Sequence, residues 1–198
     1  MNKFLNLRIL LIIGTICIIG ANSNAQILKI NPKLSSMTIL GTTNVHNFEI
    51  NVSPISGELV INSAKKVESL AVIVPVKSLK SKESLMNTKT YEAFNEPKNP
   101  TISFKLIEAN DLQVNANDVS VTVTGNLTMA GTTKKITFKT TGKSSKPGVY
   151  DFKGSLALKM SEYGMKPPTA MLGMMKVGDA VTLKFNVVME GNLLSENK

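Results

Sequence analysis

The side chains with the most distinctive chemistry lie in "MSEYGMKPPTAMLGMMKVGD", Met160 to Asp179. Five of the chain's ten methionines are here: Met160, Met165, Met171, Met174 and Met175. Thioethers gathered in a turn-rich segment fit three kinds of chemistry. They ligate copper(I), they dip into a membrane surface, or they form a pliable cover over an apolar guest. Their spacing is irregular, and His46, the single histidine, is the one imidazole that could join them. One imidazole cannot by itself build a zinc site, and a hydrolytic triad needs a nucleophile beside an oriented base. His46 is therefore read as a strand histidine or as a contact for a ligand's polar head. "NDLQVNAND" carries Asp111, Asn115, Asn117 and Asp118 but has neither the EF-hand spacing nor its closing glutamate, so a hairpin turn is expected there. No phosphate-binding loop or serine elbow is present. The expectation is a binding protein, with no catalytic group and no cofactor.

The elements that must position these residues begin after the first 25. Lys3 and Arg8 precede the apolar run "ILLIIGTICIIG", and "ANSNA" ends in small residues. That pattern predicts a secretory signal peptide over residues 1–25, too short in its apolar run to span a membrane. A periplasmic or secreted location is then expected, with the folded domain at 26–198. Cys17 is the only cysteine and lies inside the signal, so the mature domain has no disulfide to hold it. Net charge is +9, and Arg8 is the only arginine. Nucleic-acid readout leans on the guanidinium fork, which the mature domain lacks, so no nucleic-acid partner is expected. Scattered lysines make a solvated basic surface, and transient contact with anionic headgroups stays open. Oligomeric state is not legible.

Period-two alternation dominates the rest. "HNFEINV" sets His46, Phe48, Ile50 and Val52 on one face. "TISFKLI", "DVSVTVTGNLTM", "YDFKGSLALKM" and "AVTLKFNVVME" alternate the same way, with further strands near Met37–Leu40, Gly57–Ile61, Leu70–Val74 and Ile136–Thr140. About eight or nine half-buried antiparallel strands result, separated by turns such as "SPISG", "AGTTK" and "KPG". One segment differs. Ser81–Phe94 predicts a helix, with Ser81 as N-cap, Glu83 in the first turn, and Pro97 and Pro100 beyond its end. An all-β domain with a short helical insertion must dispose of its sheet edges, and closing into a barrel does so.

Four stretches together resemble the YceI-like exported proteins: "GTTNVHNFEI", "ESLMNTKTYEAFNEPKNPTISF", "VTGNLTMAGTTKKITF" and "YGMKPPTAMLGMMKVGDAVTL". The resemblance runs from Gln26 to Gly191, with Asn47 and Phe48 where that family usually has aspartate and tryptophan. It implies a closed, eight-stranded, antiparallel lipocalin-like barrel holding an amphiphile of polyisoprenoid, quinone or fatty-acid type. Burial of hydrocarbon, worth about 0.8 kcal/mol per CH₂, would supply the affinity. The apolar faces nominate Phe48, Ile50, Phe104, Phe138, Leu156, Leu158, Phe185 and Val187 as lining, with Phe94 from the helix and His46 toward the head. Met171, Leu172, Met174 and Met175 are expected to cover the bore. The competing readings are a solid-barrel stress or adhesive protein, and periplasmic copper binding by the methionines.

Overall fold

The structure, a computed structural model, describes residues 25–62, 66–115 and 118–191. The signal-peptide reading, Cys17 included, lies outside these residues apart from Ala25, as does Asn117. Alternating sequence becomes strand nearly throughout. The strands are β1 (Gln26–Ile30), β2 (Ser36–Thr43), β3 (Asn47–Val52), β4 (Ser56–Ile61), β5 (Val67–Pro75), β6 (Leu79–Lys80), β7 (Thr101–Asn115), β8 (Asp118–Met129), β9 (Thr132–Lys146), β10 (Val149–Lys159), β11 (Thr169–Ala170) and β12 (Met175–Glu190). One helix, α1 (Ser84–Phe94), interrupts them.

Eight staves close into an antiparallel barrel. Three are broken strands: β1 continues as β2, β3 as β4, and β5 as β6, while β7, β8, β9, β10 and β12 run unbroken. Each stave pairs with the next in sequence, and β12 returns to the first, opposite β1 at Lys29↔Glu190 and β2 at Leu183↔Ile39. The closed ladder leaves no free edge among these staves. Hydrogen bonds also bridge the breaks: the Asn31 N–H donates to Val188 O (2.8 Å), Ser53 N–H to Ser78 O (3.2 Å) and Val76 N–H to Pro100 O (2.8 Å). The breaks in the second and third staves turn Ile55 and Val76 fully inward, so each of these two kinks adds an apolar side chain to the core. "SPISG" is thus a bend within a stave rather than a hairpin turn. "NDLQVNAND" does carry the expected hairpin, but most of it is strand: β7 runs to Asn115, which pairs with Asp118 of β8. The turn at "AGTTK" behaves as expected, with Ala130 (φ 49°) and Gly131 (φ 78°) both left-handed, as a tight two-residue hairpin requires.

The helix starts later than its sequence predicts. Ser81 does not cap it; its hydroxyl accepts the Glu83 N–H (3.1 Å), while Asn87 Oδ1 accepts the Ser81 N–H (2.7 Å). Glu83 consequently stands at the N-cap rather than in the first turn. The far end closes on Asn95 in the left-handed region (φ 49°, ψ 54°), whose N–H donates to the carbonyls of Glu92 and Tyr91. Met86, Thr90 and Phe94 recur at helical spacing and are buried. Tyr91 pins α1 to β6, donating its hydroxyl to Leu79 O (3.1 Å) beneath the Lys80 ammonium, 5.2 Å from the ring centre.

Inside the barrel, phenylalanines lie on glycines of neighbouring staves. Phe48 covers Gly41, Phe104 covers Gly125, Phe152 covers Gly142 and Phe185 covers Gly154. A side chain at Gly142 would place its Cβ 2.6 Å from Phe152, and at Gly154 closer still to Phe185 Cζ. Phe138 meets Phe104 and Phe185 edge-on, with centroids 5.7 and 5.8 Å away. Below these rings the core is packed with Leu28, Leu59, Val121, Val123, Val187 and Met189. Gly154→Ala should therefore destabilise the domain by about 1–3 kcal/mol in urea unfolding, because the ring must leave its seat. Combining it with Phe185→Leu should restore part of the loss; strictly additive losses would show that ring and glycine are not coupled.

Candidate functional site

The helix end of the barrel holds the cavity. In β5/β6 and β7 the ladder pairs only from Ala71↔Lys105 to Pro75↔Thr101, and α1 lies across the opening that their divergence leaves. Met86, Thr90, Ala93 and Phe94 of the helix form its roof. Its walls come from the inward faces of the staves: Met37 and Ile39 of β2, Phe48, Ile50 and Val52 of β3, Leu127 and Met129 of β8, Leu158 of β10, and Val177, Val181 and Leu183 of β12. Met160, Met165 and Pro168, from the segment between β10 and β11, complete it.

Two properties define this space. Among the described residues its lining is apolar: Thr90 contributes the only hydroxyl, already donating to Met86 O at 2.8 Å, and no titratable side chain lines it. It is also small, about 110 Å³. An engineered cavity of about 150 Å³ takes up benzene, so this one in its present shape admits a short hydrocarbon segment rather than a long chain. Five methionines stand on its wall, Met37, Met86, Met129, Met160 and Met165. Unbranched thioether side chains with several rotatable bonds are the apolar residues that repack most readily around a guest.

The nominated residues divide in a simple way. Phe48, Ile50, Phe94 and Leu158 stand on the cavity wall. Phe104, Phe138 and Phe185 form the aromatic floor, Val187 lies in the packed interior beneath it, and Leu156 is half-buried on the same face without reaching the cavity. His46 is exposed just before β3, its Nδ1 2.9 Å from Asn47 O, and does not approach the apolar space. The Met160–Asp179 segment splits between two environments. Met160 and Met165 face the cavity, whereas Met171, Leu172 and Met174 project into solvent and do not cover it. The remaining wall residues were open to sequence reading only as members of alternating faces, and Met86, Thr90 and Ala93 through their i, i+4, i+7 spacing.

A clasp closes the base of this segment. Ser161 donates its backbone N–H (2.8 Å) and its hydroxyl (2.6 Å) to the carboxylate of Asp179. The Ser161 hydroxyl, then its N–H, hold the Asp179 pKa below the ordinary carboxylate range. Tyr163, between them, is fully buried with its hydroxyl unpartnered; burial and then the Glu162 charge push its pKa up.

A wholly apolar chamber thus lies under a helix at one end of a closed eight-stave barrel. A model of the YceI-like domain matches residues 28–189. The chain belongs to the YceI-like family. Among solved structures this YceI-like domain is similar to a polyisoprenoid binding domain from Saccharophagus degradans implicated in plant cell wall breakdown (TM-score 0.69, 14% identity, 83% of this chain and 98% of that one). It also resembles BcnA of Burkholderia cenocepacia (TM-score 0.65, 20% identity, 80% and 98% covered). The YCEI protein of Campylobacter jejuni aligns at a TM-score of 0.58 and 17% identity, over 73% and 85% of the two chains. A UPF0312 protein of Pseudomonas aeruginosa is 42% identical over 77 residues, 36% of this chain. That match spans 38% of the curated relative's length.

The clasp gives a pH dependence with a definite sign. Because the folded Asp179 pKa is depressed, its contribution is complete above the unfolded value, about 3.9, and fades as pH falls through the folded one. Amide protection factors in residues 161–178, corrected for the intrinsic exchange rate at each pH, should fall on acidification below about pH 4. In Asp179→Asn that fall should vanish, with protection already low at neutral pH; an unchanged profile would show that the clasp does not hold the segment.

Proposed function

We propose that this YceI-like domain is an exported carrier that holds the hydrocarbon part of an amphiphile in the chamber beneath α1. The observation that carries this reading is the chamber's composition: apolar on every side, roofed by a helix, and walled by five methionines. That lining suits the burial of hydrocarbon, which favours binding over catalysis as its use. Polyisoprenoid binding by the Saccharophagus degradans neighbour supports a prenyl-type guest, and quinone and fatty-acid chains share the same chemistry.

The dimensions set how binding proceeds. A chain longer than the present space enters as the methionines of the wall change rotamer and α1 shifts. Each CH₂ that leaves water contributes about 0.8 kcal/mol, so about five of them offset the ordering of several such side chains. The polar head stays at the opening, since the chamber offers it no partner. The basic, lysine-rich surface and the leader-like residues 1–25 support action outside the cytoplasm, where water separates the sites between which a lipid must travel.

Organic extraction and mass spectrometry of protein purified from its own envelope tests the reading directly; a reproducible, stoichiometric lipid is the expected result. Protein that arrives empty and also fails to take up cis-parinaric acid or a short-chain ubiquinone in titration overturns it. Ala93→Phe, which fills the chamber from the helix side, should weaken cis-parinaric acid uptake by about tenfold or more, roughly 1.4 kcal/mol, while the domain stays folded by circular dichroism. Uptake equal to wild type in that variant would place the guest elsewhere.

A further inference from the structure

The four most exposed large apolar side chains among the described residues occupy one place. Leu172 (105%), Met174 (71%), Val45 (67%) and Met171 (61%) exceed the next, Leu34 at 57%. They come from two loops far apart in sequence that are fastened together. β11 and the start of β12 form a small hairpin, Thr169↔Lys176 and Ala170↔Met175, whose tip is Met171–Met174. Beside it is the β2–β3 turn. Asn44 joins them through three hydrogen bonds: its side-chain N–H donates to Met174 O (2.9 Å), its Oδ1 accepts the Lys176 N–H (2.8 Å), and its own N–H donates to Lys176 O (3.1 Å). The Thr43 hydroxyl fixes the turn from below, accepting the N–H groups of Val45 (3.1 Å) and His46 (3.0 Å).

The tip is held in a form that exposes it. Met171 (φ 51°) and Leu172 (φ 54°) both adopt the left-handed region, which costs non-glycine residues energy, and Gly173 comes next at φ 88°. That backbone presents apolar side chains outward at the helix end of the barrel, where Met165, Pro168 and Val177, flanking the same hairpin, line the chamber.

We infer that this two-loop tip inserts into the interfacial layer of a lipid bilayer and sets the mouth of the chamber against the membrane, where the guest enters and leaves. This inference rests on the carrier reading and adds to it the surface from which the guest is taken. Three observations choose a bilayer over a protein groove. The apolar groups protrude as separate knobs, which a fluid phase surrounds without needing a matching shape. Lys166 and Lys176 stand exposed on either side of the hairpin, and neither forms an ion pair among the described residues, so their ammonium groups can reach phosphate headgroups as the tip enters. The surface also adjoins a chamber suited only to hydrocarbon, the material a bilayer supplies. Insertion of this kind draws on buried apolar area together with attraction to anionic lipid.

Flotation with vesicles of equal parts phosphatidylethanolamine and phosphatidylglycerol tests it on the folded domain. Wild type should float, and Leu172→Asp combined with Met174→Asp should reduce the vesicle-bound fraction by about tenfold or more. Both side chains are exposed, and aspartate tolerates the left-handed backbone better than leucine, so melting temperature should be unchanged or higher. Uptake of cis-parinaric acid from water should match wild type in the variant, while its extraction from vesicles slows. Wild type that does not float, a variant that floats equally, or flotation abolished by salt yet indifferent to these substitutions overturns the inference. Failure of cis-parinaric acid uptake in wild type would instead strike the carrier reading and leave the flotation result standing on its own.

Discussion

Closing the sheet is the constraint on which the rest depends. Once β12 has paired with both β10 and the first stave, the cross-section is fixed, and every inward side chain must share it. An eight-stave barrel is just wide enough to be filled by side chains, so any space left inside is decided by which residues are placed at which depth. Four phenylalanines could not fit that cross-section if each faced an ordinary residue. Laid over Gly41, Gly125, Gly142 and Gly154, the rings rest against the neighbouring stave and take up width without forcing the staves apart. Phe138 then locks two of them edge-on, which makes the floor of the chamber rigid.

Above that floor the same constraint is met in another way. The third stave breaks at Val76, β6 pairs with β3 at only two positions, and α1 takes the place that further pairing would occupy. A helix resting on a barrel end contributes no hydrogen bonds to the ladder, so its attachment through Tyr91, Met86 and Phe94 can yield without opening the sheet. Rigid aromatics below and adaptable methionines above thus divide the interior into a part that sets the fold and a part that can change shape.

Much of this was legible in the sequence, for a definite reason. Alternation reports which face of a strand is apolar, and that alone assigns Phe48, Ile50 and Leu158 to the lining. Alternation says nothing of depth. Phe104, Phe138, Phe185 and Val187 share the inward face yet lie at or below the floor, because depth is set by barrel shear and by which glycine stands opposite each ring. Helix α1 was legible as an element but not at its start, since Ser81 spends its hydroxyl on a local turn organised by Asn87. Isolated methionines were missed for a related reason. Met37, Met86 and Met129 meet Met160 and Met165 only across the barrel, a convergence that no local pattern encodes.

Clustering in sequence proved to be a poor guide to clustering in space. The methionines between Met160 and Met175 are close along the chain, but the Ser161–Asp179 clasp and the hairpin of β11 and β12 send them in opposite directions. The clasp turns Met160 and Met165 into the wall, and the left-handed turn at Met171 and Leu172 lifts the others away from it. One flexible apolar side chain therefore serves two surfaces for the same physical property. Inside, softness lets the wall adapt to the outline of a guest; outside, it lets a tip accommodate a disordered phase without a fixed complement. The two surfaces are joined by Pro168 and Val177, whose backbones are themselves hydrogen-bonded at 3.0 Å, so the tip and the chamber mouth belong to a single short hairpin.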